Sequence, residues 1–410
     1  MMEKTKKNIP EFRFPGFSGE WVEKKLQDVA KIERGKSKHR PRGAEFLYGG
    51  EYPFVQTGDI RNADLYLTTF TQTYSEDGLK QSKLWDEDTL CITIAANIAE
   101  TTILKIKACF PDSIIGLIPY KEKAAVLFIK YQFDKFKLQI QNLSQGAAQD
   151  NLNQEKLLNI KFRFTTLPEQ YKISSFITEV NEKLRFLTKK KTLLEQYKKG
   201  VMQKIFSQEL RFKDDNGNEF PDWEERVLGE VAKRITTKNK AFNTNVLTIS
   251  AQYGLISQLE YFNKSVSAKD VSGYYLLEKN DFAYNKSYSN GYPMGAIKRL
   301  ARYEKGIVST LYICFRNNEL FDNAFAEQYF ETGIHNKEIE KVAQEGARNH
   351  GLLNIGVSDF FNTYLFIPSL PEQTKIANFL SAIDEKIALS TIQIEKTEQY
   401  KKGLLQKMFV

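Results

Sequence analysis

At 410 residues, 41% hydrophobic and 27% charged, the chain has the make-up of an ordinary globular protein, with length for roughly two to four domains. No apolar run nears the ~18 residues of a membrane span, and MMEKTKKNIPEF lacks the apolar stretch of a signal peptide, so a cytoplasmic protein with no membrane is expected. Cys91, Cys109 and Cys314 form no CxxC, which argues against a disulfide or zinc framework, and a net charge of +8 is compatible with nucleic acid without establishing it.

Residues 1–166 carry a net charge of +4. WVEKKLQDVAK, from Trp21, reads as a short helix or strand edge and runs into ERGKSKHRPRG, Glu33 to Gly43, with five cationic side chains in eleven residues plus His39. VQTGDIR follows with Gln56, Thr57 and Arg61. The β-rich runs LCITIAA from Leu90 and TTILKIK from Thr101 predict strands, as does FRF at Phe162.

The stretch from Leu167 to Phe206 predicts a long helix. Thr166-x-x-Glu169 reads as a capping box, and Pro168 sits in the first turn, where a missing N–H does no harm. Ile177, Val180, Leu184, Leu187, Lys191, Leu194, Lys198, Val201 and Ile205 alternate spacings of three and four, a heptad seam.

Residues 213–369 are slightly acidic, at −2, so any DNA contact there needs a local patch. WEERVLGEVAK from Trp223 echoes the stretch at Trp21, and Lys238 to Lys240 stands opposite the earlier KSK. NVLTIS and GIVSTLYICF predict strands, and YLFIP at Tyr364 alternates as a strand would. Two further loops look built for contact rather than packing: YNKSYSNGYPMGAIKR from Tyr284, too polar for a core, and EGARNHG with Arg348, Asn349 and His350. Cations fix phosphates, and Asn, Gln and Arg form bidentate bonds to purine edges. One basic loop alone is more often a solvated surface; several in one duplicated chain point to DNA.

Leu370 to Phe409 repeats the long helix without a gap, 19 of 40 positions identical, and EQYKKG occurs in both copies, at Glu195 and Glu398. Ser369-x-x-Glu372 repeats the capping box. The seam recurs as Leu380, Ile383, Ile387, Ser390, Ile394, Thr397, Lys401, Leu404 and Met408. The chain is one unit written twice, and equivalent helices in a duplicated chain are expected to pair antiparallel.

No catalytic constellation emerges. AKIERGKS meets the loose phosphate-loop spacing, but only Gly35 is present and HRPRG cannot open the helix such a loop needs. The three histidines show no HExxH spacing, and there is no GxSxG. No Asn/Asp-Pro-Pro-Tyr or glycine-rich cofactor motif of adenine methyltransferases occurs; degenerate nuclease signatures stay open.

PEFRFPGFSGEW with its echo ELRFKDDNGNEFPDW, helices opening LPEQ and closing QYKKGxxQKxF, and NDFAYNKSYSNGYPMGAIKRL from Asn280 together resemble the specificity subunit of a type I restriction–modification system, over nearly the whole length. Where Asn280 stands the family usually has Gly, and the first half's matching stretch, EDTLCITIAANIAET from Glu87, is more divergent. The resemblance implies an α+β fold, with two α/β target recognition domains related by internal duplication and separated by two long antiparallel coiled-coil helices. The domains would be 1–166 and 213–369, the spacer helices 167–212 and 370–410.

It further implies a non-catalytic chain in which each domain reads half of a bipartite site on double-stranded DNA. The helices would set the spacing and dock methyltransferase subunits, and restriction/translocase subunits would join the complex. No cofactor would bind this chain; S-adenosylmethionine and ATP with Mg would belong to those partners. Under this reading Lys36, Lys38, Arg40, Lys238 and Lys240 hold phosphates. Gln56, Thr57, Arg61, Ser250, Gln252, Tyr253, Asn285, Lys286, Tyr288, Asn290, Arg348 and Asn349 are the candidates to face bases. A stand-alone two-domain DNA-binding regulator, or a nuclease or methyltransferase with an unrecognised motif, are the alternatives.

Overall fold

The computed structural model describes residues 8–142, 152–250, 253–264, 267, 270–343 and 353–410. The chain divides into two compact units, one of residues 1–187 with 393–410, the other of residues 188–392.

In the first unit the elements used below are β1 (Val22–Lys25), β2 (Ala30–Arg34), β3 (Leu90–Thr93), β4 (Thr101–Leu104), β5 (Ile114–Pro119), α1 (Val126–Asn142) and β6 (Lys161–Phe164). LQDVAKI resolves into both of its readings: Leu26–Val29 is one helical turn with Leu26 and Val29 buried, and β2 follows at once. The main sheet runs β2–β5–β3–β4, these four antiparallel, with Tyr66–Leu67 pairing parallel to β4 on its edge. Every residue of β3 and β4 is buried, which accounts for their continuous rather than alternating apolar pattern. Phe128, Ile129 and Phe133 of α1 join Trp21, Leu90 and Ile92 in the core.

The two long helices follow as expected: α2 is Leu167–Phe206, and its repeat, labelled α4 below, spans Leu370–Met408.

The second unit repeats the plan with β7 (Glu224–Val227), β8 (Ala232–Arg234), β9 (Phe282–Asn285), β10 (Ala296–Arg299), β11 (Ile313–Asn317), α3 (Asn323–Glu331), β12 (Tyr364–Ile367) and α4. Its sheet order β8–β11–β9–β10 reproduces β2–β5–β3–β4, and β7 pairs with β12 as β1 pairs with β6. GIVSTLYICF breaks into two strands, Lys305–Val308 and β11. Asn280 has φ 74°, a left-handed backbone that Asn tolerates better than most residues other than Gly.

Each unit packs one half of each long helix. Ile173, Ile177 and Val180 of α2 cluster with Leu404 and Met408 of α4 in the first unit. In the second, Ile205 and Phe206 of α2 cluster with Ile376, Leu380 and Ile383 of α4. In each case an early stretch of one helix meets a late stretch of the other, so the paired segments are antiparallel. The polar seam residues are satisfied at low cost: Ser390 donates to Lys386 O at 2.8 Å and Thr397 to Gln393 O at 2.7 Å, each one turn back.

The LPEQ words do something other than cap their helices. The Glu169 carboxylate takes Arg13 at 2.7 and 2.8 Å as well as the Thr165 hydroxyl. Glu372 takes Arg211 at 2.9 and 3.3 Å, while the Ser369 hydroxyl has no partner among the described residues. The reciprocal capping box is therefore replaced by a buried ion pair to Arg13 of PEFRF and Arg211 of ELRF, a tertiary contact that local spacing cannot reveal. The neighbouring glutamines clamp the helix to its globule. Gln170 accepts from Ala125 N–H at 3.0 Å and donates to Thr165 O at 2.7 Å. Gln373 accepts from Asp322 N–H at 2.9 Å and donates to Leu320 O at 3.0 Å. The straps carrying those arginines are equivalent too: Phe12 N–H donates to Lys407 O at 2.9 Å, and Leu210 N–H to Lys204 O at 3.0 Å.

Candidate nucleic-acid interface

In the first unit the basic loop leaves the end of β2. Gly35 N–H donates to Ile114 O and Lys36 N–H to Phe110 O, and a Cβ at Gly35 would collide with Pro111 O and the Phe110 ring. The backbone is thereby pinned while its side chains alternate: Lys36 exposed, Ser37 buried against the Tyr74 hydroxyl at 3.3 Å, Lys38 exposed. No helix opens after Gly35, in keeping with the rejected phosphate loop.

The cations of this loop divide by use. Arg42 binds Asp112 at 2.8 Å through both oxygens, and Arg34 reaches Asp112 O. Arg40 donates to Ser37 O at 2.7 Å and His39 O at 2.8 Å, so part of its guanidinium already serves the loop. Glu33 is held at about 2, far below the usual carboxylate range, by hydrogen bonds from Lys83 and Lys31. Lys36 and Lys38 have no partner among the described residues, which leaves two free ammonium groups pointing to solvent.

Gln56 and Thr57 open the short helix Thr57–Asn62, placed beside the same strand because Val55 N–H donates to Cys109 O, one residue from the acceptor of Lys36. Gln56 donates to Gln72 Oε1 at 2.9 Å, and Arg61 is exposed and unpartnered among the described residues. The structure thus brings the lysine loop and Gln56–Thr57 to one flank of the first unit.

The second unit repeats the alternation: Lys238 exposed, Asn239 1% exposed, Lys240 exposed. Asn239 takes the anchoring role of Ser37, donating to Asn243 O at 2.9 Å and accepting from Asn243 N–H at 2.8 Å. Lys238 donates to Gly273 O at 2.9 Å and lies 4.3 Å from the Tyr275 ring centre, whereas Lys240 is free among the described residues.

Residues 286–295 connect β9 to β10. The tip is a tight turn, with Ser289 bridged to Tyr292 and Gly291 at φ 82°. Its base is fixed by Tyr284, which donates to Met294 O at 2.8 Å, and by Tyr292, which donates to Glu331 at 2.6 Å beside buried Lys298. Burial, then the Glu331 charge, push the Tyr292 phenol pKa upward, so it stays a donor. Tyr288 and Asn290 stand out from this fixed base, both exposed. Two of their neighbours are engaged: Asn285 accepts from Ser287 N–H at 3.1 Å, and Lys286 reaches Ile355 O at 3.5 Å. Ser250 is buried and accepts from Tyr253 N–H at 3.2 Å, making it a turn residue, while Tyr253 is exposed. Gln252, Arg348 and Asn349 lie outside the described residues.

Among the described residues no group of three or more His, Cys, Asp or Glu is placed to hold a metal, and no helix is long and apolar enough to cross a membrane.

The family model for the type I restriction modification DNA specificity domain matches residues 18–196 and again 221–399. The chain belongs to that family. Each specificity domain match takes in one copy of the four-stranded sheet and most of the long helix that follows it. A putative type I restriction enzyme MjaX specificity subunit from Methanocaldococcus jannaschii is 26% identical over 195 residues, 47% of this chain and 44% of that protein, so here the match spans less than half the relative's length. The MjaVIII specificity subunit of the same organism is 22% identical over 408 residues, 94% of this chain and 91% of that protein.

Among solved structures, the S subunit of a type I restriction–modification system from M. genitalium superposes with a TM-score of 0.60 at 13% identity, covering 98% of this chain and 99% of that one. A chain solved in work on complex assembly and conformational transition of the type I R-M system gives 0.52 at 13%, covering 97% and 98%. These likenesses extend the specificity-subunit fold over the whole chain. Sequence inspection missed Arg13 and Arg211, although the shared E-x-R-F of EFRF and ELRF marked them.

Proposed function

We propose that this protein is the non-catalytic DNA-recognition subunit of a type I restriction–modification complex, its two specificity domains each reading one half of a bipartite site. Residues 1–166 and 213–369 are the readers, and 167–212 and 370–410 the spacers that hold them and dock methyltransferase subunits. The observation that carries this reading is that each family match takes in its own copy of the four-stranded sheet, and the first strand of each copy is followed by the same lysine–buried anchor–lysine segment. Lys36, Lys38 and Lys240 are the phosphate contacts best placed, since a free ammonium can exchange counterions for phosphate. Arg40 and Lys238 hold phosphates more weakly because their donors are partly engaged. Gln56, Thr57, Arg61, Tyr253, Tyr288 and Asn290 face bases, with Asn285, Lys286 and Ser250 shaping the loops that present them.

Docking is supported by what the helices leave outside. Tyr197 and Tyr400, the tyrosines of the two EQYKKG words, are both about half exposed, as are Leu193 and Leu389, with Phe186 more so. Exposed aromatic side chains at equivalent places on two helices suit a partner's surface. S-adenosylmethionine, ATP and Mg then belong to the partner and restriction/translocase subunits.

Co-expression with a type I methyltransferase subunit, followed by mapping of methylated sites, tests the reading. A split sequence with a fixed spacer is expected. Binding without any partner enzyme would favour a stand-alone regulator, and methylation or cleavage by the purified chain alone would show it to be an enzyme.

A further inference from the structure

The loop joining β3 to β4 in the first unit is the counterpart of residues 286–295 in the second, because β3 and β4 occupy the sheet positions of β9 and β10. It contains three non-glycine residues with a left-handed backbone: Ala96 at φ 49°, Asn97 at 37° and Ala99 at 63°. Such residues are uncommon, and alanine has no side-chain hydrogen bond to favour the conformation. Strain of this kind persists where surrounding structure enforces it, and it gathers at functional loops.

Here the enforcement is visible. Thr93 O accepts from Ala99 N–H at 2.9 Å, the Thr93 hydroxyl accepts from Glu100 N–H at 3.0 Å and donates to Asn97 O. Gln141 donates to Ile98 O at 2.9 Å, and Lys137 pairs with Glu100 at 2.6 Å. Ala96 and Asn97 are left exposed at the crest, and the Asn97 carboxamide has no partner among the described residues.

The crest also stands at the charged end of the sheet. Ile94 N–H donates to Ser113 O, and the adjoining Asp112 receives Arg34 and Arg42. Thr93 lies opposite Ile114, and Arg34 opposite Ile115, so the loop and the start of the lysine segment leave the same edge. A rigidly presented carboxamide at the same end of the sheet as the free lysines combines a base-edge reader with phosphate anchors.

We propose that Asn97 is a specificity-determining residue of the first unit, taking adenine at one position of that unit's half-site through its carboxamide. The proposal rests on the DNA-recognition reading above and adds the residue that carries it in this unit.

The test uses the full chain with its methyltransferase partner and selection from a DNA library randomised at both half-sites. Asn97→Gly is the informative variant, since glycine accepts the left-handed backbone without strain while removing the side chain. It is expected to lose preference at a single position of one half-site, by on the order of ten- to a hundredfold, with the other half-site unchanged. Asn97→Asp, an acceptor only, is expected to move that position from adenine toward cytosine. An unaltered selected sequence with Asn97→Gly overturns the assignment. So does loss at both half-sites, because a base reader acts on its own half. If the unmodified complex selects no split sequence, the DNA-recognition reading falls, and this assignment with it.

Discussion

Lys198 Nζ lies 2.7 Å from each carboxylate oxygen of Asp384, yet the residue that repeats Asp384 in the other half of the duplication is Asn181. The acid is further held by Gln328 at 2.9 Å, whereas Asn181 donates to the Tyr131 hydroxyl at 3.1 Å. Lys401, the repeat of Lys198, therefore has no acid at the equivalent place, and burial pushes its pKa below the ordinary lysine value, with Lys130 adding to the effect and Asp134 opposing it. Asp384→Asn should cost about 1 kcal/mol, a modest sum because the carboxylate is 43% exposed. Asn181→Asp should raise the Lys401 pKa, read by NMR titration of its side chain; an unmoved titration would mean the two sites are not equivalent.

His335 makes the second unit sensitive to acid. Thr363 donates to Phe360 O at 2.7 Å, so its hydroxyl accepts from His335 Nε2 at 3.2 Å, and the ring packs against Phe330 and Phe360. Burial lowers the histidine to about 4 from 6.5. A depressed folded-state pKa gives stability that is complete above 6.5 and is lost as pH falls toward 4, by up to roughly 3 kcal/mol. Urea midpoints between pH 7 and 4 should fall more steeply for the unmodified protein than for His335→Gln. Parallel curves would rule out this source.

The clamps at the helix starts should matter more than surface pairs. Glu169 is 1% exposed and Arg13 13%, with 1% and 18% for Glu372 and Arg211. Glu169→Gln leaves the largely buried Arg13 guanidinium without its acid, a loss of roughly 2–4 kcal/mol, whereas Arg211 keeps exposed Asp222 at 3.3 Å, so Glu372→Gln should cost less. Thermal unfolding checks this, and a change within error would show that solvent replaces the carboxylate.

Salt dependence should separate the lysines. Replacing both Lys36 and Lys38 with Ala is expected to reduce the slope of log affinity against log salt by about 2, equally for all DNA sequences. Lys240→Ala should reduce it by about 1, and Lys238→Ala by less, since that ammonium already contacts Gly273 O and Tyr275. Equal slopes for the two single variants would contradict the assignment.

The duplication, both long helices and most strands were legible because periodicity and repetition are local properties of the text. The role of LPEQ was not: Glu169 meets Arg13 across 156 residues, and a capping box and a buried clamp are spelled alike. The candidate interface was legible wherever charge clustered, as at Lys36 and Lys38. Charge did not reveal that Arg40 and Ser250 serve their own turns. Asn97 escaped because its loop, ITIAANIAET, is almost apolar, and only the left-handed backbone sets it apart.

The equal bonds of Phe12 to Lys407 and Leu210 to Lys204 have a topological consequence. In the second unit the strap follows its helix covalently; in the first, the hydrogen bond from Phe12 to Lys407 bridges the same step between residues far apart in the chain. The two straps are therefore equivalent joints, one covalent and one not. A chain opened between Ser207 and Gln208, with Phe409 tethered to Ile9, would keep every strap contact while reversing the order of the two halves. Gene rearrangement could then exchange the order of the readers without altering either one.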